Sequence, residues 1–179
     1  MIKVAARRYA LEPELVAAFL LAEQRDQSQL EDAKDVASAV NAGHNASLGL
    51  GQVVISTARN NRLFSDALSD QTVTVAGHAK IARLLTDDVL NIFAAAKYIR
   101  QVGNEGAARD IGRLRRTRAA YPGINMRTYG QPSARWPADN IRALGSEYTS
   151  RAWDDNLSEG WGYFVYEAYR DVRASGVFN

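Results

Sequence analysis

The longest uninterrupted apolar stretch of the chain, Leu15 to Ala22, is eight residues long and runs directly into a carboxylate, Glu23. Eight residues are too few to span a membrane, which takes about 20, and no small-residue cleavage site of a secretory signal follows them. Upstream stands Pro13, which helices accept in their first turn, with Glu12 and Glu14 beside the positive end of the helix dipole. A helix opening there places Phe19, Leu20 and Glu23 three, four and seven residues after Val16, on one face. The chain therefore has to build a core around a helix whose apolar face ends in an acid.

The rest of the chain punctuates into further helices. Val4 to Ala10 reads as a short one, followed beyond Glu23 by a polar run from Gln24 to Asp35 and a Gly/Asn-rich loop from Asn41 to Gly51. Helices are expected over Gln52 to Phe64 and Gly77 to Leu85. Asp87 and Asp88 cap another, Val89 to Val102, which Gly103 ends. Gly106 to Ala120 forms the next, stopped by Tyr121-Pro122-Gly123. After a proline-marked connector come Ala138 to Ser150 and Ser158 to Ser175, the last with Ser158 as N-cap and Gly176 as stop. No alternating strand pattern of useful length is present, so the expected class is all-α. With 179 residues, 46% hydrophobic and 23% charged, the chain is long and apolar enough for one sizeable core. A core over residues 1–120 with a helical extension over 121–179 packed on it, as one structural domain, fits these breaks.

Composition removes several functions. Cysteine is absent, which excludes a disulfide framework, a thiolate metal site and a cysteine nucleophile. The two histidines, His44 and His78, are too few for a multi-histidine metal site, and no metal or cofactor is expected. A net charge of +2 argues against nucleic acid, since the one basic cluster, Arg113, Arg115, Arg116 and Arg118, reads as the solvated face of a helix. Trp161, Phe164, Val165 and Tyr169 recur at helical spacing and are assigned to the core.

Two features carry chemistry. Burial of Glu23 at the edge of the core disfavours its charged form and raises its pKa, the condition of a general acid at neutral pH. On the helix alone, a helix-end glutamate paired with Arg25 or capped by solvent is the favoured reading. Ser47-Leu48-Gly49-Leu50-Gly51-Gln52-Val53 is a small-residue run leading to a helix. Its glycines allow close backbone approach to a ligand, and Gln52 offers both a donor and an acceptor.

Leu20-Leu21-Ala22-Glu23, Gly49-Leu50-Gly51-Gln52 and Asn91-Ile92-Phe93-Ala94-Ala95-Ala96-Lys97-Tyr98-Ile99 together resemble, in order and rough spacing, the lysozyme superfamily, in particular soluble lytic transglycosylases and goose-type lysozymes. The resemblance covers about residues 13 to 100. It implies a lysozyme-like helical fold and cleavage of the β-1,4 bond between N-acetylmuramic acid and N-acetylglucosamine, with Glu23 as the acid. Ser47, Gly49, Gln52 and Asn91 are implied to bind substrate, Ser47 and Gln52 contacting it or the glutamate, and Tyr98 to line the cleft. The chain departs from the pattern at Gln24, where serine is usual, and at Gly51, where methionine is usual. Val54 stands where goose-type lysozymes carry an aspartate, so any second carboxylate has to come from the polar segment, with Asp26 and Asp35 the candidates and Glu31 and Asp32 nearby. A second carboxylate implies a hydrolytic muramidase. Glu23 acting alone implies a lytic transglycosylase, in which the muramoyl 6-hydroxyl attacks, and a third alternative is a non-catalytic glycan-binding domain. Trp136 and Trp153 are candidates to stack on sugars.

Glu23 to Gln27, Leu50-Gly51-Gln52-Val53 and Asn140 to Gly145 are also similar to muramidase toxin domains of bacterial secretion-system effectors. That similarity implies action on the cell wall or in the periplasm, arrival by a secretion system or as part of a larger protein in place of a signal peptide, and an immunity or inhibitor protein as partner; with so short an apolar run, no membrane insertion is expected.

Overall fold

A computed structural model describes residues 1–26, 45–66, 77–108, 123–154 and 156–179. Among these are seven α-helices: α1 Ile2–Arg8, α2 Pro13–Asp26, α3 Ile55–Asn60, α4 His78–Leu85, α5 Asp88–Ala107, α6 Ala138–Tyr148 and α7 Trp161–Ser175. The one sheet among the described residues is an antiparallel pair, β1 Ser47–Leu48 with β2 Val53–Val54, in the register Ser47 to Val54 and Leu48 to Val53. Two 3-10 turns, Met126–Gly130 and Ser133–Arg135, precede α6. The fold is all-α with a small hairpin inserted.

Helix α2 is central because it is apolar on nearly every side. Leu15, Val16, Ala17, Ala18, Phe19, Leu20 and Ala22 are all buried, as a helix enclosed by others requires. Helices α1, α5 and α7 pack on it, and α7 also lies along α6. The hydrophobic cluster is continuous from Ala5 and Ala6 of α1 to Tyr169 of α7. The start of α2 is fixed from outside: the Glu12 N–H donates to the Ser133 hydroxyl at 2.7 Å, and Tyr169 donates to the Glu12 carboxylate at 2.8 Å.

Several boundaries differ from the sequence reading, each for a local reason. Helix α1 ends at Arg8, and Ala10 takes a positive φ of 52°. The helix expected from Gln52 starts only at Ile55, because Gly49 and Gln52 both have positive φ, 73° and 42°, and close a tight turn that leaves Val53–Val54 extended. Gly103 does not end α5. It lies within the helix, as does Gly106, and both admit aromatic rings: a Cβ on Gly106 would fall 2.9 Å from the Tyr129 ring. Asp87 caps α5 as expected, its Oδ1 accepting from the Leu90 N–H at 2.9 Å. Helix α7 begins after Gly160, not Ser158, because Gly160 N–H closes a turn onto the Asn156 carbonyl at 2.7 Å. Gly176 terminates it in the left-handed conformation, φ 64°.

Trp136 and Trp153, expected as sugar-stacking candidates, are both buried in the core. The Trp136 ring meets Tyr129 edge-on at 4.9 Å, lies under Arg100 and donates its indole N–H to the Gln131 carbonyl.

Helices α6 and α7 cross at glycines. A Cβ on Gly145 would sit 2.9 Å from the Gly162 Cα, and one on Gly162 would overlap the Arg142 carbonyl. Overpacking of this kind costs about 1–3 kcal/mol and sometimes more. Gly162→Ala is therefore expected to lower stability by about 3 kcal/mol in urea unfolding. An unchanged midpoint would show that the helices separate without cost.

Candidate active site

Gly51 joins the hairpin to both α5 and α6. Gly51 donates its N–H to Asn91 Oδ1 at 2.7 Å and accepts from the Tyr148 hydroxyl at its carbonyl, 2.8 Å away. Asn91, fully buried, donates its amide to the Leu48 carbonyl at 2.8 Å and to the Leu85 carbonyl at 3.0 Å. Glycine is required at two points of the turn. A Cβ on Gly49 would run into the Asn91 amide and the Leu85 carbonyl, and one on Gly51 would lie 2.8 Å from the Ala95 methyl. Within the hairpin, Ser47 donates its hydroxyl to Gln52 Oε1 at 2.8 Å and Gln52 Nε2 donates to the Gly49 carbonyl at 3.0 Å.

In front of the hairpin lies a cavity of about 400 Å³, in the range of small-molecule and sugar-sized sites. Glu23 and Asp26 enter it from α2, Ser47, Gln52, Val53 and Val54 from the hairpin, and Thr57 from α3. Tyr98 of α5 and the Tyr148-Thr149-Ser150 segment at the end of α6 complete the lining. The Tyr148 ring packs against Phe19 at 4.9 Å and Tyr98 at 5.1 Å, forming an aromatic wall.

Glu23 is half-buried in this cavity, and its pKa is pushed up to about 8, first by burial and second by the negative charge of Asp26. Burial works this way because a carboxylate loses more hydration than a neutral carboxyl group. Arg25, the neighbour available to neutralise it, turns instead to Asp171 on α7, with Nη1 2.8 Å from Oδ2. Glu23 is therefore not ion-paired with Arg25. Tyr148 is held well above its ordinary pKa by burial first, then by Glu23 and Tyr98. Tyr98 is raised by burial, against an opposing hydrogen bond from Ser150.

The structure brings together Glu23, Asp26, Ser47, Gln52 and Tyr98. Gly49 supplies the turn and an acceptor for Gln52. Asn91 stands behind the hairpin, not in the cavity, because all three of its hydrogen bonds go to backbone. Asp35, with Glu31, Asp32, His44 and the arginine cluster, lies outside the described residues. Among the described residues no group of His, Cys, Asp or Glu is placed to hold a metal ion. Sequence reasoning missed Thr57, Tyr148, Thr149 and Ser150. For Tyr148 a partial signal existed: it lies seven residues after Ile141 and four after Leu144, on the inward face of α6.

Residues 1–104 match the family described as T6SS, Peptidoglycan muramidase Tse3, catalytic domain. The chain belongs to the Tse3 catalytic-domain family. It is 50% identical over 178 residues to the peptidoglycan muramidase Tse3 of Pseudomonas aeruginosa, an alignment covering 99% of this chain. The chain spans 44% of that protein's length. Glu23 lies in the part matched to the Tse3 family, whereas the wall from Tyr148 to Ser150 lies beyond residue 104.

The raised pKa of Glu23 has a stability consequence of fixed sign. The folded state holds the proton more tightly than the unfolded chain, so stability falls as pH rises from about 4.5 to about 8 and levels off above. Glu23→Gln removes this dependence. The variant is expected to melt higher than wild type at pH 9, with the gap closing by pH 4. A constant gap across that range, measured by thermal unfolding, would show a freely hydrated carboxylate.

Proposed function

We propose that this domain cleaves peptidoglycan glycan strands at the β-1,4 bond between N-acetylmuramic acid and N-acetylglucosamine, with Glu23 as general acid. The observation that carries the reading is a half-buried carboxyl group with a pKa near 8, facing a sugar-sized cavity. A glycosidic oxygen leaves poorly as an alkoxide, and a proton delivered in the transition state removes that barrier. Family membership supports the same chemistry, since the relative from Pseudomonas aeruginosa is named for peptidoglycan and muramidase activity.

Asp26 is exposed at the end of α2 and lines the same cavity. In a hydrolytic mechanism it steers the attacking water or stabilises the oxocarbenium-like transition state. Asp35 is the second candidate for that role. Asp26 also keeps the proton on Glu23, because its charge opposes ionisation of the acid. Tyr98 and Ser47 are proposed to contact the sugar. Action in the periplasm after delivery by a secretion system, and inhibition by an immunity protein, are part of the same proposal. No helix among the described residues is long and apolar enough to cross a membrane.

General acids contribute about 10²–10⁴-fold, so Glu23→Gln is expected to lower turbidity clearing of purified peptidoglycan by about a hundredfold or more. Wild-type activity should decline as pH rises through about 8, where the acid loses its proton. Asp26→Asn should move that alkaline limb to lower pH by removing the neighbouring charge. Products with reducing N-acetylmuramic ends are expected; 1,6-anhydro ends would replace hydrolysis by transglycosylation. Clearing by Glu23→Gln at the wild-type rate would remove Glu23 as the acid, and absence of clearing by wild type itself would reduce the domain to a glycan binder.

A further inference from the structure

We propose that Gln52 is a positioning residue that acts through Ser47, holding the Ser47 hydroxyl as a hydrogen-bond acceptor toward the glycan. This rests on the cavity being a glycan site. Hydrogen-bond valence forces the arrangement. The Gly49 carbonyl cannot donate, so the Gln52 atom 3.0 Å from it is the amide nitrogen. Gln52 Oε1 then faces Ser47 Oγ at 2.8 Å, and an amide oxygen only accepts. The Ser47 proton is therefore committed to Gln52. What remains on Ser47, at the cavity wall, is lone pairs.

An acceptor there takes an N–H or O–H, and N-acetylated sugars present both. The Gln52 oxygen and one of its amide hydrogens, by contrast, are already engaged within the hairpin, which leaves this side chain poorly suited to reading the sugar directly. The backbone agrees. Gln52 sits at φ 42°, a left-handed conformation that glycine adopts with less strain, and its two side-chain bonds hold it there. Its neighbour Gly51 is clamped by Asn91 and Tyr148, so the support does not drift.

The test is a double-mutant cycle on soluble oligomers of alternating N-acetylglucosamine and N-acetylmuramic acid, read as KM and kcat/KM with thermal melts alongside. Gln52→Gly suits the positive φ and keeps the Gln52 N–H bond to the Gly49 carbonyl, so folding is preserved. Ser47→Ala and Gln52→Gly are each expected to raise KM about three- to tenfold, the value of one net hydrogen bond. The double variant should be no worse than Ser47→Ala alone. Gln52→Glu adds a readout that a packing role would not produce. Ionised at pH 7, it opposes the Gly49 carbonyl and behaves like Gln52→Gly. Below its ordinary carboxyl pKa of about 4.3, it donates to Gly49, accepts from Ser47 and returns toward wild type measured at the same pH. Fold-changes that multiply in the double variant, or a Gln52→Gly variant with wild-type KM, overturn the assignment. If wild type cleaves no more than Glu23→Gln, the glycan reading itself falls; multiplying effects in an active enzyme sink only the role of Gln52.

Discussion

The backbone of Gly51 ties the site to two helices of the scaffold. The N–H of Gly51 is taken by Asn91 from α5 and its carbonyl by Tyr148 from α6, both in buried surroundings. Each bond contributes only about 1 kcal/mol net, but losing either partner strands a buried polar group at a cost of about 1–3 kcal/mol. The hairpin therefore has one position relative to the helices, and the side chains it displays have one position relative to Glu23. The small residues around it follow from that constraint. Ala95 leaves just enough room for the Gly51 backbone, and Gly49 turns the chain under the Leu85 carbonyl.

The protonation state of the acid depends equally on where its neighbours point. Asp26, one turn along α2, adds a like charge to the effect of burial, in a cavity that Tyr98 and Tyr148 also line. Arg25 lies between the two acids in sequence and would reverse the effect if it reached Glu23. It is tethered to Asp171 on α7 instead. As an exposed ion pair that bridge adds little stability. Its effect is electrostatic, since it holds the Arg25 charge on Asp171 instead of on Glu23.

The sequence made α2 legible almost residue for residue. An eight-residue apolar run between a proline and a polar segment can hide only in a core, and the period of its apolar positions carries Glu23 to the rim. Capping chemistry placed Asp87 and Gly176 correctly, because those signals are local. Failures arose where tertiary packing reassigned a local signal. Gly103 reads as the end of one helix and Gly106 as the start of the next, but both serve as slots for Trp136 and Tyr129 inside a single helix. Gln52 reads as a helix opener, yet it holds a positive φ that only its bonds within the hairpin explain. Asn91 matched a motif for ligand contact, and its buried hydrogen bonds became visible only with the hairpin in place. Tyr148 stands 125 positions beyond Glu23, and no short-range pattern reports a contact at that distance.

That separation bears on what the catalytic unit is. The family match ends at residue 104, but part of the cavity wall around Glu23 comes from the end of α6. Helix α6 in turn is held by α7, through the glycine crossing and through the burial of Val165, Ala168, Tyr169 and Val172. Helix α7 also covers α2 and fixes its first turn through Tyr169 and Glu12. A fragment ending before α6 would expose Phe19 to solvent and leave the Gly51 carbonyl without its buried donor. Glu23 would then be hydrated, and its pKa would fall back toward that of an ordinary carboxylate. The acid belongs to α2 by sequence, but its proton is held there by helices that follow more than a hundred residues later.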